Sequence, residues 1–193
     1  MIETIVLSIT SFIGTNIDDI FIDTILFSEA KTKEESKSII CGKYLGIGTL
    51  VFLSILGAFG LQLLPQHYIG YLGFVPICLG IKEIIINMKS KENDEENETI
   101  RKSTNNIINT ALITIANGAD NIGVYIPLFA GFMAWQIVVT VCVFLALIAV
   151  WCFLGKALAD LPVLKRGLKR NKDVIVPVVY IVLGLYILVE NFL

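Results

Sequence analysis

The sequence predicts an all-α polytopic membrane protein with six transmembrane helices, arranged as two inverted three-helix repeats. Three observations lead to this fold class: the apolarity of the chain, the alternation of basic connections with connections that lack basic residues, and a polar cluster that recurs in both halves. The 193 residues are 55% hydrophobic and 17% charged, and the mean hydropathy is +0.78. This composition is too apolar for a soluble domain of such length.

The apolar residues form six stretches, each close to the ~20 residues that a tilted transmembrane helix needs. The predicted spans are about residues 4–27, 44–64, 68–88, 107–130, 134–156 and 174–192. The first stretch has neither the basic leader nor the small-residue cleavage site of a signal peptide. We therefore predict that it is a true first span.

The basic residues predict the orientation of these spans. Fourteen of the 15 Lys and Arg residues fall in the first, third and fifth connections, which are residues 28–43, 89–106 and 156–173. Those of the first connection are Lys31, Lys33, Lys37 and Lys43. The second and fourth connections, near Pro65-Gln66-His67 and Gly131-Phe132-Met133, have none. Because cytoplasmic loops carry the excess of basic residues, the odd connections are predicted to be cytoplasmic and both termini to lie outside.

The two halves of the chain look related. Residues 1–90 form the first predicted repeat and residues 107–193 the second, with residues 91–106 as an acidic cytoplasmic linker. Each half ends in a span with a proline, then Leu-Gly, then an acidic residue, which is Glu83 in one half and Glu190 in the other. Three spans per half require the second repeat to be inverted in the membrane. In transporters built this way the substrate site lies near the midplane, where the repeats meet.

Each half also begins with a span that carries Asn and Asp residues. A carboxylate near the bilayer centre costs about 2.5–3.5 kcal/mol, and such residues usually mark an ion, proton or substrate path. Helical spacing predicts one shared face for Asn16, Asp19 and Asp23, with Thr15 and Asp18 on the neighbouring stripe. Asn117, Asp120 and Asn121 likewise share a face, and the repeat symmetry would make the two faces converge. Several Asp charges in one place are expected to need a compensating cation, and a small cage of oxygen atoms fits a divalent metal better than an organic solute. The predicted metal ligands are Asn16, Asp18, Asp19, Asn117, Asp120 and Asn121, with Thr15, Asp23 and Glu83 as weaker candidates.

Four motifs spread over nearly the whole chain carry a family resemblance. They are Asn16-Ile17-Asp18-Asp19-Ile20, Gly42-Lys43-Tyr44-Leu45-Gly46, Pro76-Ile77-Cys78-Leu79-Gly80-Ile81 and the ten residues from Ala116 to Tyr125. These motifs resemble the bacterial cadmium-resistance transporter family, within the lysine exporter superfamily. The resemblance implies a multi-pass protein of the bacterial cytoplasmic membrane that exports cadmium, and the six main predicted ligands match the family's signature positions.

The energy source for transport is predicted to be an ion gradient, because the sequence contains no GxxxxGK[ST] nucleotide-binding loop. Protons arriving from outside would neutralise Asp18, Asp19 or Asp120 and expel the cation, which makes the protein a metal/proton antiporter. No cofactor is expected, and the lipid bilayer and the transported cation are the expected partners. Nucleic acid is not expected as a partner.

Selectivity is where the sequence leaves alternatives open. Cadmium is a soft ion that favours thiolates, yet we interpret the four cysteines as mostly buried structural thiols rather than ligands; these are Cys41, Cys78, Cys142 and Cys152. An oxygen-rich site would also admit manganese, zinc or calcium.

Two alternatives belong to other functional classes. One is an intramembrane aspartyl protease, which is a distant alternative because the typical Gly-x-Gly-Asp sequence is absent. We therefore do not predict an enzyme. The other is a scaffold or receptor.

The pattern Gly42-x-x-x-Gly46 indicates close helix packing, either within the chain or in a homodimer.

Overall fold

The computed structural model of the chain describes residues 1–61, 71–72, 74–89, 106–159 and 177–189. This part of the chain is helical and contains no strand, so the all-α prediction is confirmed. The described helices are α1 (Ile2–Asn16), α2 (Asp19–Glu29), α3 (Lys33–Leu61), α4 (Phe74–Lys89), α5 (Ile107–Asn117), α6 (Ala119–Ala130), α7 (Ala134–Ala159) and α8 (Pro177–Val189).

Two of the described helices, α3 and α7, are long and apolar enough to cross a membrane. The consecutive helices α1 and α2 are together a third candidate, bent by 63° at the break between them. Among the described residues these three are the candidate spans, and the count of six stays a prediction.

Both polar clusters coincide with an interruption of a helix. The first predicted span, residues 4–27, is not one continuous helix, because α1 ends at Asn16 and α2 begins at Asp19. At this break the Asp18 side chain accepts a hydrogen bond from the Asp19 backbone N–H at 3.2 Å, so it caps α2 rather than extending α1. Gly118 separates α5 from α6 in the same way, with φ −90° and ψ 25°. The spacing had predicted that Asn16 shares one helix face with Asp19 and Asp23. That prediction is wrong, because Asn16 ends α1 whereas Asp19 and Asp23 belong to α2.

The two halves are interlocked rather than side by side. The long helix α3 of the first half packs most extensively on α5 and α6, which are the broken helix pair of the second half. The long helix α7 of the second half packs in turn on α1 and α2, the broken pair of the first half. Phe12 of α1 makes edge contacts with Phe144 and Trp151 of α7, at ring-centroid distances of 5.2 and 5.3 Å. Each broken pair is thus held by a long helix from the opposite half.

Glycines allow α3 to approach α5 closely. A Cβ atom on Gly42 would lie 2.5 Å from the Thr110 Cβ, and one on Gly46 would lie 2.6 Å from the Thr114 Cβ. Both separations are too short for real atoms, so only glycine fits at these positions. The close packing predicted from Gly42-x-x-x-Gly46 is confirmed, and it is used within the chain.

Substituting Gly46 with alanine is expected to lower the free energy of unfolding by about 1–3 kcal/mol, because α3 and α5 must move apart. Gly48 lies on the same helix, and a Cβ there would meet no atom within 4 Å. Gly48→Ala is the matched control, and its higher helix propensity should raise the free energy of unfolding by about 0.5–1 kcal/mol. Unfolding of both variants in detergent measures the difference, and equal stabilities would contradict the close contact.

The interpretation of the cysteines as buried thiols is wrong for three of the four. Cys152 is buried, whereas Cys41, Cys78 and Cys142 are exposed. Long helices such as α3 and α7 are apolar around most of their circumference. Hydrophobic spacing therefore does not reveal which face packs against the protein.

Several predictions concern residues outside the described part of the chain. These are the second connection with His67, residues 91–105 of the linker, the basic residues of the fifth connection beyond Lys156, and Glu190. Glu83 falls within α4, but its side chain also lies outside the described part.

Candidate functional site

The two polar clusters meet between the halves of the molecule. Asn117 donates a hydrogen bond from Nδ2 to Asp19 Oδ1 at 2.6 Å. Asn121 donates from Nδ2 to Asn16 Oδ1 at 3.3 Å. The structure therefore brings together four of the six main predicted ligands, two from each half.

A tyrosine completes this contact on the side of the second half. The hydroxyl of Tyr125 in α6 lies 2.8 Å from Thr15 Oγ1 and accepts a hydrogen bond from Asn16 Nδ2 at 2.9 Å. All three side chains are buried. We call the set of Thr15, Asn16, Asp19, Asn117, Asn121 and Tyr125 the interface cluster.

The last carbonyl group of α1 is also occupied by a side chain from the other half. Trp151 of α7 donates from its indole Nε1 to the backbone oxygen of Asn16 at 2.7 Å. A helix end leaves carbonyl groups without partners in the helix, and this bond satisfies one of them inside the protein. It also attaches the end of α1 to α7.

Asp120 and Asp18, the other two main candidates, lie beside the interface cluster. The hydroxyl of Tyr180 in α8 donates a hydrogen bond to Asp120 Oδ2. The same hydroxyl group is within electrostatic range of Asp18, and Asp120 is within electrostatic range of Asp19. Asp120 lies in the first turn of α6, where the helix dipole favours negative charge. Asp18 is half-buried and caps α2.

Lys43 supplies a positive charge to the site, although the sequence had predicted that it lies in the first connection. Its Nζ lies 2.7 Å from Asp19 Oδ2 and 3.0 Å from Asp23 Oδ1, and its side chain is 1% exposed. The assignment of Lys43 to a cytoplasmic connection is therefore wrong. It lies within α3, ten residues or about 15 Å beyond Lys33, the first residue of that helix.

The sequence does contain a signal for the burial of Lys43. Buried residues of α3 recur three and four positions apart at Ile39, Gly42, Gly46 and Ile47, and Lys43 lies on this stripe. The pair Gly42 and Gly46 marks the packed face, so a lysine beside it faces the protein. Lys31, Lys33 and Lys37, which precede the stripe, are exposed.

Asp23 is the most enclosed carboxylate of the site. It is 0% exposed, and a Cβ atom on Gly155 of α7 would lie 2.7 Å from the Asp23 Cβ. Its contact with Lys43 is an ion pair, and neither of its oxygens accepts a hydrogen bond from any described residue. The buried thiol of Cys152 lies within electrostatic range of both Asp23 and Lys43.

Asp19, Asp23 and Lys43 form a group with two negative charges and one positive charge, which we call the lysine triad. Burying charges is expensive unless an opposite charge lies close by, and the ammonium group supplies that partner. Lys43 therefore compensates one of the two negative charges, and one net negative charge remains on the triad. Asp19 belongs to both sets, since one oxygen bonds to Asn117 and the other to Lys43.

The donor set of the site consists of carboxylate, amide and phenol groups. Within the described ranges, no three His, Cys, Asp or Glu side chains gather closely enough to hold a metal ion by themselves. Carboxylate and amide oxygens are ligands for hard and borderline divalent cations. The oxygen atoms of the interface cluster come from both halves of the chain.

Comparison with known proteins identifies the family. The sequence model described as cadmium resistance transporter matches residues 12–192, nearly the whole chain. Comparison with the curated proteins and with the solved structures found no match. The matched residues include both helix interruptions, the interface cluster and the lysine triad. The chain belongs to the cadmium resistance transporter family, as its motifs had indicated.

Proposed function

We propose that the protein exports divalent cations from the cytoplasm, with cadmium as the main substrate, by exchange with protons. The observation that carries this proposal is the 2.6 Å hydrogen bond between the exposed Asn117 and the buried Asp19, which joins the polar clusters of the two halves. In transporters with inverted repeats, the substrate binds where the repeats meet. The proposed ligands are Asn16, Asp18, Asp19, Asn117, Asp120 and Asn121, with Thr15, Asp23 and Glu83 in supporting roles.

The proposed topology has six spans, formed by an inverted repeat of residues 1–90 and 107–193 around a cytoplasmic linker. The reciprocal packing of α3 and α7 on the broken pair of the opposite half supports it, since a two-fold relation between the halves would produce that exchange. The interruption of both pairs at an Asn/Asp cluster supports it as well. The exposed lysines before the buried stripe of α3 favour a cytoplasmic first connection in the bacterial cytoplasmic membrane, with both termini outside.

In the proposed mechanism, the cation enters from the cytoplasm and is held between Asp19 and Asp120, whose charges come from opposite halves. Amide oxygens from the interface cluster complete its coordination. When the site opens outward, protons bind the carboxylates and the cation leaves. Carboxylate ligands bind a soft ion less tightly than thiolates do, which favours release.

Transport by the purified full chain in proteoliposomes tests this function. With two protons exchanged per divalent cation, so that no net charge crosses the membrane, an interior one pH unit more acidic than the medium should support about a hundredfold accumulation of cadmium. Asp120→Asn, which removes the carboxylate on the second half, should abolish this accumulation. A cadmium-sensitive dye inside the vesicles reports uptake. Uptake by the wild type that ignores the pH gradient would contradict proton exchange.

The same assay decides among the metals. An oxygen-rich donor set also suits manganese, zinc and calcium, so the relative rates for these ions define the substrate range.

The protease alternative gains no support from the geometry, because an aspartyl protease needs two carboxylates that share a proton. Here Asp19 bonds to Lys43 and Asn117, whereas Asp120 bonds to Tyr180.

A further inference from the structure

Lys43 is a buried charge that the proposed mechanism does not use. We propose that its ammonium group is a tethered counter-cation, which is shared between Asp19 and Asp23 while the site is empty and pairs with Asp23 alone when a metal cation binds. The inference rests on the proposed function, because it assumes that Asp19 contacts the transported cation. It makes Lys43 a positioning residue that limits the affinity of the site and helps to release the cargo.

Both carboxylate oxygens of Asp19 already accept hydrogen bonds. Oδ1 accepts from Asn117 at 2.6 Å and Oδ2 accepts from Lys43 at 2.7 Å. A divalent cation on Asp19 would lie close to the ammonium group and be repelled by it, with little water between them to screen the repulsion. Cargo and ammonium group therefore compete for the same carboxylate.

Asp23 offers the ammonium group of Lys43 an alternative partner. Asp23 lies four residues after Asp19, on the same face of α2, and its Oδ1 is already 3.0 Å from Lys43 Nζ. The other oxygen of Asp23, Oδ2, accepts no hydrogen bond from the described residues, so the ammonium group can move further onto this carboxylate. The flexible four-carbon stem of a lysine permits such a short movement.

The position of the ammonium group sets how much negative charge the lysine triad presents to the cargo. With the ammonium group between its two carboxylates, the triad carries one net negative charge. Once the ammonium group pairs with Asp23 alone, that pair is neutral and the full charge of Asp19 faces the cargo. Without Lys43, two carboxylates would attract the cation, and it would leave more slowly. The device depends on the position of the ammonium group.

Three variants distinguish this role from a purely structural ion pair through the sign of the change in cadmium affinity. Asp23→Asn removes the alternative partner and leaves the ammonium group on Asp19, so cadmium should bind about tenfold more weakly than to the wild type. Lys43→Gln removes the competitor, so cadmium should bind about tenfold more tightly. The double variant Lys43→Gln/Asp23→Asn keeps the net charge of the triad at −1, which protects folding, and it should also bind more tightly than the wild type.

The measurement is calorimetric titration of cadmium ions into the purified full chain in detergent, with proteoliposome transport as a second readout. Lys37→Gln, which changes an exposed lysine of the same helix, is the control and should leave affinity and transport unchanged. Tighter binding in the double variant should be accompanied by slower transport, because release is impaired.

If the wild type binds cadmium but the double variant binds it no more tightly, the counter-cation role is overturned and the proposed function stands. If Asp23→Asn fails to weaken binding, the alternative position for the ammonium group is wrong, and the inference is again overturned alone. If the wild type binds no cadmium, the proposed function itself fails.

Discussion

Asp19→Asn is expected to reduce cadmium export by about 100-fold, the loss that follows from neutralising one member of a buried, hydrogen-bonded charge pair. Asp19 is the residue through which the two halves and the lysine triad are connected. Asparagine keeps the shape and one acceptor oxygen, so the hydrogen bond from Asn117 can survive. The charge is lost, however, and Lys43 and Asp23 then form a neutral pair that offers nothing to a cation.

Export from vesicles loaded with cadmium measures this effect directly, and growth of cells on cadmium gives an independent readout. Glu34→Gln is the matched control, because Glu34 is an exposed carboxylate in the first turn of α3. Its removal should leave export unchanged. Export by Asp19→Asn at the wild-type rate, in a protein that remains folded, would show that cargo does not pass by this carboxylate.

Lys43→Met is expected to lower the free energy of unfolding by about 3–5 kcal/mol, because removing one partner of a buried ion pair leaves uncompensated charge. Methionine has a similar shape but cannot pair with Asp19 and Asp23. Adding Asp23→Asn to this variant should recover part of the loss, since only one buried carboxylate then lacks its partner. Chemical unfolding in detergent measures the change.

The comparison for this prediction is Lys37→Met, which makes the same chemical change six residues earlier on α3. Lys37 is exposed, and its substitution should change stability by no more than about 0.5 kcal/mol. Similar losses at both positions would mean that the destabilisation comes from the added apolar side chain. In that case the ion pairs of Lys43 would have no special part in stability.

Sequence periodicity and charge predicted the parts of the molecule that depend on the chemistry of single segments. The helical class follows from apolar stretches of membrane-spanning length, and the polar clusters stand out because carboxylates are rare in such stretches. The resemblance between the halves predicted that the clusters would face each other, and Asn16 and Asp19 do lie beside Asn121 and Asn117.

Features that depend on how segments pack were harder to infer. Lys43 precedes an apolar stretch by one residue, and the positive-inside rule treats any lysine there as a loop residue. Only the position of Gly42 and Gly46 on the same stripe argues for burial. The roles of Tyr125 and Tyr180 had no sequence signal, because a tyrosine in an apolar helix is ordinarily a packing residue and its hydroxyl partner comes from a distant segment.

The interlocked packing of the long helices joins most of the described helices into two composite bodies. One composite body contains α1, α2 and α7, tied together by Trp151 on the end of α1, and the other contains α3, α5 and α6. The contacts of Asp19 with Asn117 and with Lys43 run between these two bodies. In the proposed exchange mechanism, these two bodies, each of which contains helices from both halves of the sequence, would slide past each other between the inward-open and outward-open states. Each transport cycle would then break and re-form the bonds of Asp19.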